Sequence, residues 1–258
     1  MTMERFEDYI RRYFKDKEFR RRISFWLLKT QFRHKIHAGI DNVLNSVVNW
    51  SGVSNSSRCN ICGWSGWRFQ SYATMTYYKA NGFCPVCGSL PRYRALVALL
   101  EKLNLLVPNF RYLEIAPTNG FKEFLYTKQI HYTSLDLGDI HAQIIGDVQS
   151  LPFPVGYFDV VICFHVLEFV PDWQRALNEF QRVLLKSGKA ILSENYLYGQ
   201  EKTLEFDAVK LFSGTPLRRF GSDFPDAILE AGFNVDSFDY LGLNDARGDY
   251  IFIASPNS

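Results

Sequence analysis

Between Phe158 and Phe164 the chain reads FDVVICF, with one acid among seven residues. A segment apolar on both faces must be covered on both faces, the condition of a strand in the middle of a parallel sheet. Tyr112–Ile115 and Tyr132–Leu137 read as two further buried strands. Phe121–Thr127, entered through the tight turn Pro117-Thr118-Asn119-Gly120, reads as a helix. The expected architecture is α/β, a doubly wound and mostly parallel sheet. Asn234–Leu241 and Asp249–Ala254, around Asn244-Asp245-Ala246-Arg247-Gly248, read as the antiparallel hairpin that closes it. Ligands of such sheets lie beyond the carboxyl ends of the strands, near the reversal of strand order. Asp136, His165, Glu168, Glu194, Asn195 and Tyr196 all fall at such ends.

A different chemistry precedes the sheet. Cys59-Asn60-Ile61-Cys62-Gly63 is followed by Cys84-Pro85-Val86-Cys87-Gly88, with 21 residues between Cys62 and Cys84. Each Cys-x-x-Cys-Gly puts two thiolates on one tight turn, and two such turns facing each other make the four-sulfur ligand set of structural zinc. Disulfides are disfavoured in a reducing compartment, and a redox Cys-x-x-Cys needs no second copy. Cys59, Cys62, Cys84 and Cys87 are therefore the expected zinc ligands, and Cys163 reads as a small buried hydrophobe. Expected domains are basic helices and a linker over 1–57, a zinc ribbon over 58–94 and the sheet domain over 95–258. Pro91 suits the first turn of a helix that ends near Leu105.

Charge divides along the same line. Residues 1–94 hold 16 Lys and Arg against 6 Asp and Glu, whereas residues 95–258 hold 13 against 21. A basic front of this kind suits an anionic partner such as nucleic acid, or docks on its own acidic back. Helices are expected over Met3–Lys15 and Lys17–Trp50. Arg20, Arg21 and Arg22 stand ahead of Ile23, Phe25, Trp26, Leu27 and Leu28, a pattern that can lie on a membrane but more often packs on its own protein. No run of 18 apolar residues exists and Met1–Phe14 lacks the apolar core of a signal peptide, so the cytoplasm is the default compartment.

Four segments in order carry a resemblance: Leu151-Pro152-Phe153-Pro154, Phe158-Asp159-Val160-Val161, His165-Val166-Leu167-Glu168 and Arg182-Val183-Leu184-Leu185-Lys186-Ser187-Gly188. Residues 95–256 resemble a class I S-adenosylmethionine-dependent methyltransferase of the type carrying LPFPDxSFDVVxxxHVLEHV and RVLKPGG, which implies a Rossmann-like fold. The resemblance places Gly120 and its turn against the methionine part of the cofactor. It places Asp136 on the ribose hydroxyls and Asp147 with Val148 at the adenine, with Glu114, Ala116, Pro117, Leu137 and Phe164 completing the cofactor set. A carboxylate at a strand end can accept both hydrogen bonds of a diol, which agrees for Asp136. The usual GxGxG turn is reduced here to Ala116-Pro117-Thr118-Asn119-Gly120. A branch with CPxCGSLxRxR ahead of the domain and AP in that turn is similar over residues 58–235, including Leu229-Glu230-Ala231-Gly232-Phe233.

The sulfonium methyl of such a cofactor is already activated, so the protein chiefly aligns the nucleophile and takes its proton. His165 is the expected catalytic residue, since an imidazole is the side chain best suited to base work near neutrality; the alternative is a histidine that packs without titrating. Cys163-Phe164-His165-Val166 stands where adenine-N6 methylases carry NPPY, which tells against that reaction. The leading expectation is O-methylation of a small-molecule or saccharide-like acceptor under a lid built from the ribbon, the N-terminal helices and Tyr198–Ser213. RNA methylation, with the basic front gripping phosphates, and a noncatalytic cofactor-binding module are the other two.

Overall fold

The computed structural model describes residues 39–46, 57–73, 78–118, 120–194, 200–206, 216–239 and 250–257. The helix expected over 3–15, residues 17–38 and 47–50 of the helix expected over 17–50, the cluster Arg20–Arg22, Asn119, Asn195, Tyr196 and the turn 244–248 lie outside these residues. So does all of the expected roof 198–213 except 200–206. The chain divides into two compact units, Met1–Leu90 and Pro91–Ser258, so the break falls at Pro91 rather than after Arg94. Helix geometry explains the shift: Pro91 opens a continuous helix that already contains Arg92 and Arg94.

In the first unit a short helix, α1 (39–46), accompanies two small hairpins. β1 (Ser57–Arg58) pairs with β2 (Ser65–Gly66), and β3 (Gln70–Ala73) with β4 (Tyr78–Phe83), all antiparallel. Asp41 of α1 is fully buried. Its carboxylate accepts from the Arg68 side chain at 2.6 Å, and at 3.1 Å from both the Ser71 amide and hydroxyl, so the buried charge is matched from three sides. Asn45 brackets the Arg68 backbone, donating to its carbonyl and accepting from its N–H.

The second unit opens with α2 (Pro91–Lys102) and is built on a seven-stranded sheet. Its chain-order strands are β5 (Arg111–Ile115), β6 (His131–Asp136), β7 (Ile144–Ile145), β8 (Phe158–Phe164), β9 (Leu184–Ser193), β12 (Phe233–Asp239) and β13 (Tyr250–Pro256). Their spatial order is β12-β13-β9-β8-β5-β6-β7, parallel from β9 to β7, with β13 antiparallel to both β9 and β12. The expected mostly parallel, doubly wound sheet with a C-terminal antiparallel hairpin is therefore the fold. From β5 the chain moves outward to β6 and β7, then returns to the other side of β5 as β8. The order reverses between β5 and β8, and the crevice opens there.

Around the sheet lie α3 (Phe121–Thr127), α4 (Trp173–Val183) and α5 (Phe224–Glu230). α4 starts at Asp172, whose carboxylate accepts from the Arg175 N–H, and buries Trp173, Ala176, Leu177, Phe180 and Val183 at helical spacing. The Leu151–Pro154 and Arg182 motifs belong together physically. Arg182 donates to the carbonyls of Phe153 and Leu151 at 2.8 and 2.9 Å, and Glu179 accepts the Leu151 N–H at 2.7 Å. α4 thereby fixes the loop that follows Asp147 and Val148.

A second clamp holds the short 3-10 turn Leu167–Phe169 against a small hairpin of β10 (Leu204–Glu205) and β11 (Arg218–Arg219). The buried Arg218 guanidinium donates to the carbonyls of Leu167 (2.6 Å), Val170 (2.5 Å) and Pro171 (3.1 Å) and to Glu205. Arg218→Met keeps the apolar stem and strands three carbonyls. It should cost about 2–4 kcal/mol in urea unfolding, since buried unsatisfied groups cost about 1–3 kcal/mol each and partly relax. An unchanged midpoint would show that water replaces the guanidinium.

Candidate active site and four-cysteine cluster

The turn after β5 is set by a buried acid. Glu114 is fully buried; Tyr93 of α2 donates its hydroxyl to one carboxylate oxygen at 2.8 Å and Tyr132 of β6 to the other at 2.5 Å. The Thr118 N–H completes the set at 3.3 Å, so one side chain binds helix, neighbouring strand and turn. Burial pushes Glu114 up to about 7, against the downward pull of the Tyr132, Tyr93 and Thr118 hydrogen bonds. The residue thus supports the turn from behind.

Above it, the departure from glycine is visible in the backbone. Ala116 has φ of 53° and Gly120 φ of 87°, both left-handed. That conformation costs a non-glycine residue about 1–2 kcal/mol, so Ala116 keeps the shape of a glycine turn at a strain the Glu114 bond network can hold. Gly120 forms the N-cap of α3 without a side-chain bond.

Five of the nine expected cofactor residues, Ala116, Asp136, Leu137, Asp147 and Val148, line one largely apolar cleft with Ile115, Val166 and Phe169. It lies at the carboxyl ends of β5 and β6, beside the switch point. Asp136 Oδ1 accepts the N–H groups of Gly138 and Asp139, both at 2.8 Å, which fixes its rotamer. Asp147 is held by Gln149, whose backbone and side chain both donate to it. Val148 is buried, whereas Leu137 is 75% exposed at the rim. Glu114, Pro117, Gly120 and Phe164 are not part of this lining. The Phe164 ring packs 5.6 Å from Tyr93.

His165 follows β8 with φ of 56°, a strained value for a residue with a Cβ. Its N–H donates to the Ser193 carbonyl at 2.7 Å, and its Nδ1 stands 3.9 Å from Glu168 Oε1. Burial, assisted by the Arg92 charge, lowers its pKa to about 3, so the ring is neutral at neutral pH. Glu168 and Glu194 are both buried behind it. Glu194 accepts the N–H groups of Val166, Leu167 and Glu168, which shapes the 3-10 turn, and burial, then the nearby Glu168, push its pKa well up. Tyr93, Tyr132 and Thr118 are site-building residues that no sequence signal singled out, because their role depends on where a buried acid on another element points.

In the other unit, Cys59, Cys62, Cys84 and Cys87 stand together, all four sulfurs within 4.8 Å of one another. Cys59 and Cys87 are 3.7 Å apart, Cys62 and Cys84 3.6 Å. Sulfurs about 2.3 Å from a tetrahedral centre are about 3.8 Å apart, so the cluster fits a four-coordinate metal. Gly63 and Gly88 have φ of 76° and 70°, the left-handed step that folds each turn back so that its N–H meets the carbonyl of the first cysteine. Cys163 is buried in β8 and is not one of the four.

The sequence pattern of the family described as a methyltransferase domain matches residues 111–192, the segment from β5 to β9. A chloroplastic 2-methyl-6-phytyl-1,4-hydroquinone methyltransferase of Arabidopsis thaliana is 28% identical over 109 residues, 36% of this chain and 32% of that protein. A demethylmenaquinone methyltransferase of Lactococcus lactis is 33% identical over 97 residues, 32% of this chain and 38% of that protein. The chain thus spans little more than a third of these relatives. The crystal structure of a Burkholderia thailandensis 1,6-didemethyltoxoflavin N1-methyltransferase, holding its acceptor and S-adenosylhomocysteine, has the same fold, with a TM-score of 0.51 and 16% identity over 65% of this chain and 79% of that one. Residues 111–192 of the second unit therefore match a methyltransferase domain, and its sheet has the Rossmann-like fold. Among the described residues no helix is long and apolar enough to cross a membrane.

The buried Glu114 gives a pH test. Its folded pKa lies above the unfolded value of 4.5, so the stabilisation of its protonated form is complete below pH 4.5 and is lost as pH rises through about 7. The loss should total about 3 kcal/mol, at 1.36 kcal/mol per pKa unit. Glu114→Gln should remove that fall from the variant, so the difference between wild-type and variant unfolding free energies should itself fall by that amount as pH rises through about 7; a difference that is flat with pH would mean the carboxylate stays ionised.

Proposed function

We propose that the chain is an S-adenosylmethionine-dependent methyltransferase that methylates oxygen on a small-molecule acceptor, of which a saccharide-like compound is one class. The observation that carries this reading is the cleft at the strand-order switch, where Asp136 and the Asp147-Val148 pair face one space beside the Ala116–Gly120 turn. These residues suit the cofactor chemically: a fixed carboxylate for a ribose diol and an apolar wall with Val148 for the adenine. The cofactor, once bound, supplies a methyl group already activated as a sulfonium. The chain's own contribution is to hold the acceptor in line and exclude water, with Val166, Phe169 and Val170 as the apolar wall nearest the 3-10 turn. His165 presents a neutral imidazole to the acceptor side.

The small-molecule reading is favoured by the named relatives, whose substrates are a quinol and a menaquinone precursor. The charge of the basic front also weakens as an argument for RNA, because Arg68 is neutralised by Asp41 within its own unit. Cys59, Cys62, Cys84 and Cys87 take one zinc, which binds the two Cys-x-x-Cys-Gly turns into a single ribbon.

Calorimetry with S-adenosylhomocysteine tests the cleft. Asp136→Ala should weaken binding by about 1.5–3 kcal/mol, the scale of hydrogen bonds to a charged group; unchanged affinity places the ribose elsewhere, and no binding to the wild type removes the cofactor reading. Elemental analysis should find one zinc per chain, lost in Cys84→Ser and kept in Cys163→Ser. Metal loss in Cys163→Ser, or none in the wild type, overturns the ribbon.

A further inference from the structure

The two Cys-x-x-Cys-Gly turns of the first unit are equivalent in sequence and unequal in surroundings. The first cysteine of each, Cys59 and Cys84, is fully buried, whereas Cys62 is exposed and Cys87 half-buried. The glycines that follow differ in the same sense. A methyl group at Gly63 would meet no atom within 4 Å, but at Gly88 it would stand 3.3 Å from the Phe83 ring. Open space thus adjoins Cys62, and a ring covers the matching side of the second turn.

Hydrogen bonding to the sulfurs follows the same division. Cys59 accepts from the N–H groups of Ile61 and Cys62, and Cys84 from those of Val86 and Cys87. The Ser89 hydroxyl lies 3.4 Å from Cys59 Sγ and 3.2 Å from Cys87 Sγ, and towards metal-bound thiolates it can only donate. Cys62 accepts one N–H, that of Trp64. Each donor draws electron density from a thiolate and fixes it on the metal, so the least-capped sulfur keeps the most nucleophilic lone pair. Susceptibility to an oxidant follows thiolate character and exposure; zinc gives all four cysteines the first, and Cys62 alone has the second in full. Cys84 Sγ stands 3.6 Å from Cys62 Sγ, within reach as the second sulfur of a two-electron oxidation.

We propose that Cys62 is an oxidation site that responds to small hydroperoxides and, through Cys84, releases the zinc. This rests on the reading that the four cysteines hold that metal. The Cys62 thiolate attacks one peroxide oxygen; the O–O bond breaks, the other oxygen leaves as hydroxide or alkoxide, and a sulfenic acid forms. The Cys84 thiolate then attacks the Cys62 sulfur, the S–O bond breaks, hydroxide leaves and the S–S bond forms. Together the two sulfurs give up two electrons, and the peroxide takes them. Cys59 and Cys87, the two ligands left, fall short of the four that a structural zinc site requires.

The full chain, its zinc content measured first, is treated with one equivalent of hydrogen peroxide. A chromogenic chelator reads released metal, and peptide mapping by mass spectrometry after an acid quench reads each cysteine. Zinc should be released in step with a Cys62–Cys84 disulfide, with Cys59, Cys87 and Cys163 still reduced. In a brief pulse of iodoacetamide given to untreated protein, Cys62 should be alkylated at least tenfold faster than any other cysteine. Ser89→Ala should raise the Cys87 rate severalfold and leave the Cys62 rate within twofold; a ribbon that merely loosened would raise all four rates together. The wild-type mapping needs no variant, so the proposal stays testable if Ser89→Ala fails to fold. First modification at Cys59, Cys84 or Cys87, four equal rates, or zinc retained through stoichiometric oxidation overturns the proposal, and a Cys62 disulfide to another cysteine overturns the place of Cys84 in it. A chain purified without zinc removes the ribbon reading by itself, and the iodoacetamide ranking still decides which cysteine is reactive.

Discussion

One buried carboxylate organises the mouth of this fold. Glu114 accepts from a helix, a neighbouring strand and the turn that follows its own strand. Removing any of the three would leave a buried acid with fewer bonds, so the positions of α2, β6 and the Ala116–Gly120 turn are coupled. The left-handed Ala116 is tolerated inside this coupling. A glycine there would relieve strain, but the network already over-determines the backbone.

The same edge is built twice over, since Glu194 does for the β9 end what Glu114 does for β5. By accepting three consecutive N–H groups it turns the chain after His165 into a 3-10 turn instead of letting β8 run on. Arg218 then closes that turn from the other side through its carbonyls. The wall of the cleft formed by Val166, Phe169 and Val170 therefore owes its position to buried charges, and its apolar surface is what a nucleoside would touch.

The fold was largely legible because its signals are local. FDVVICF reads as a central strand and is one over the expected bounds, as is the helix Phe121–Thr127. The paired Cys-x-x-Cys-Gly turns likewise announce a cluster through spacing alone. What sequence reasoning missed is non-local or too short for a period to show: the two-residue strands β7, β10 and β11, which exist only by pairing. The helix α4 carried a readable signal in Asp172 and the apolar spacing after it. At the site, strand-end acids such as Asp136 were found by position, whereas the roles of Tyr93, Tyr132 and Arg92 depend on contacts between elements 20 to 70 residues apart. Glu114 was read as a ligand contact; the three hydrogen bonds it accepts from Tyr93, Tyr132 and Thr118 could not be read from the sequence.

The central claim is that the cleft at the carboxyl ends of β5 and β6, beside the switch point, is a nucleoside site with its ribose on Asp136. A crystal structure of the chain with S-adenosylhomocysteine measures it directly. The account predicts density with both ribose hydroxyls within hydrogen-bonding distance of the Asp136 carboxylate and the adenine against Val148 beside Asp147. Density at any other place, or an empty Asp136 cleft with the ligand saturating, would contradict it.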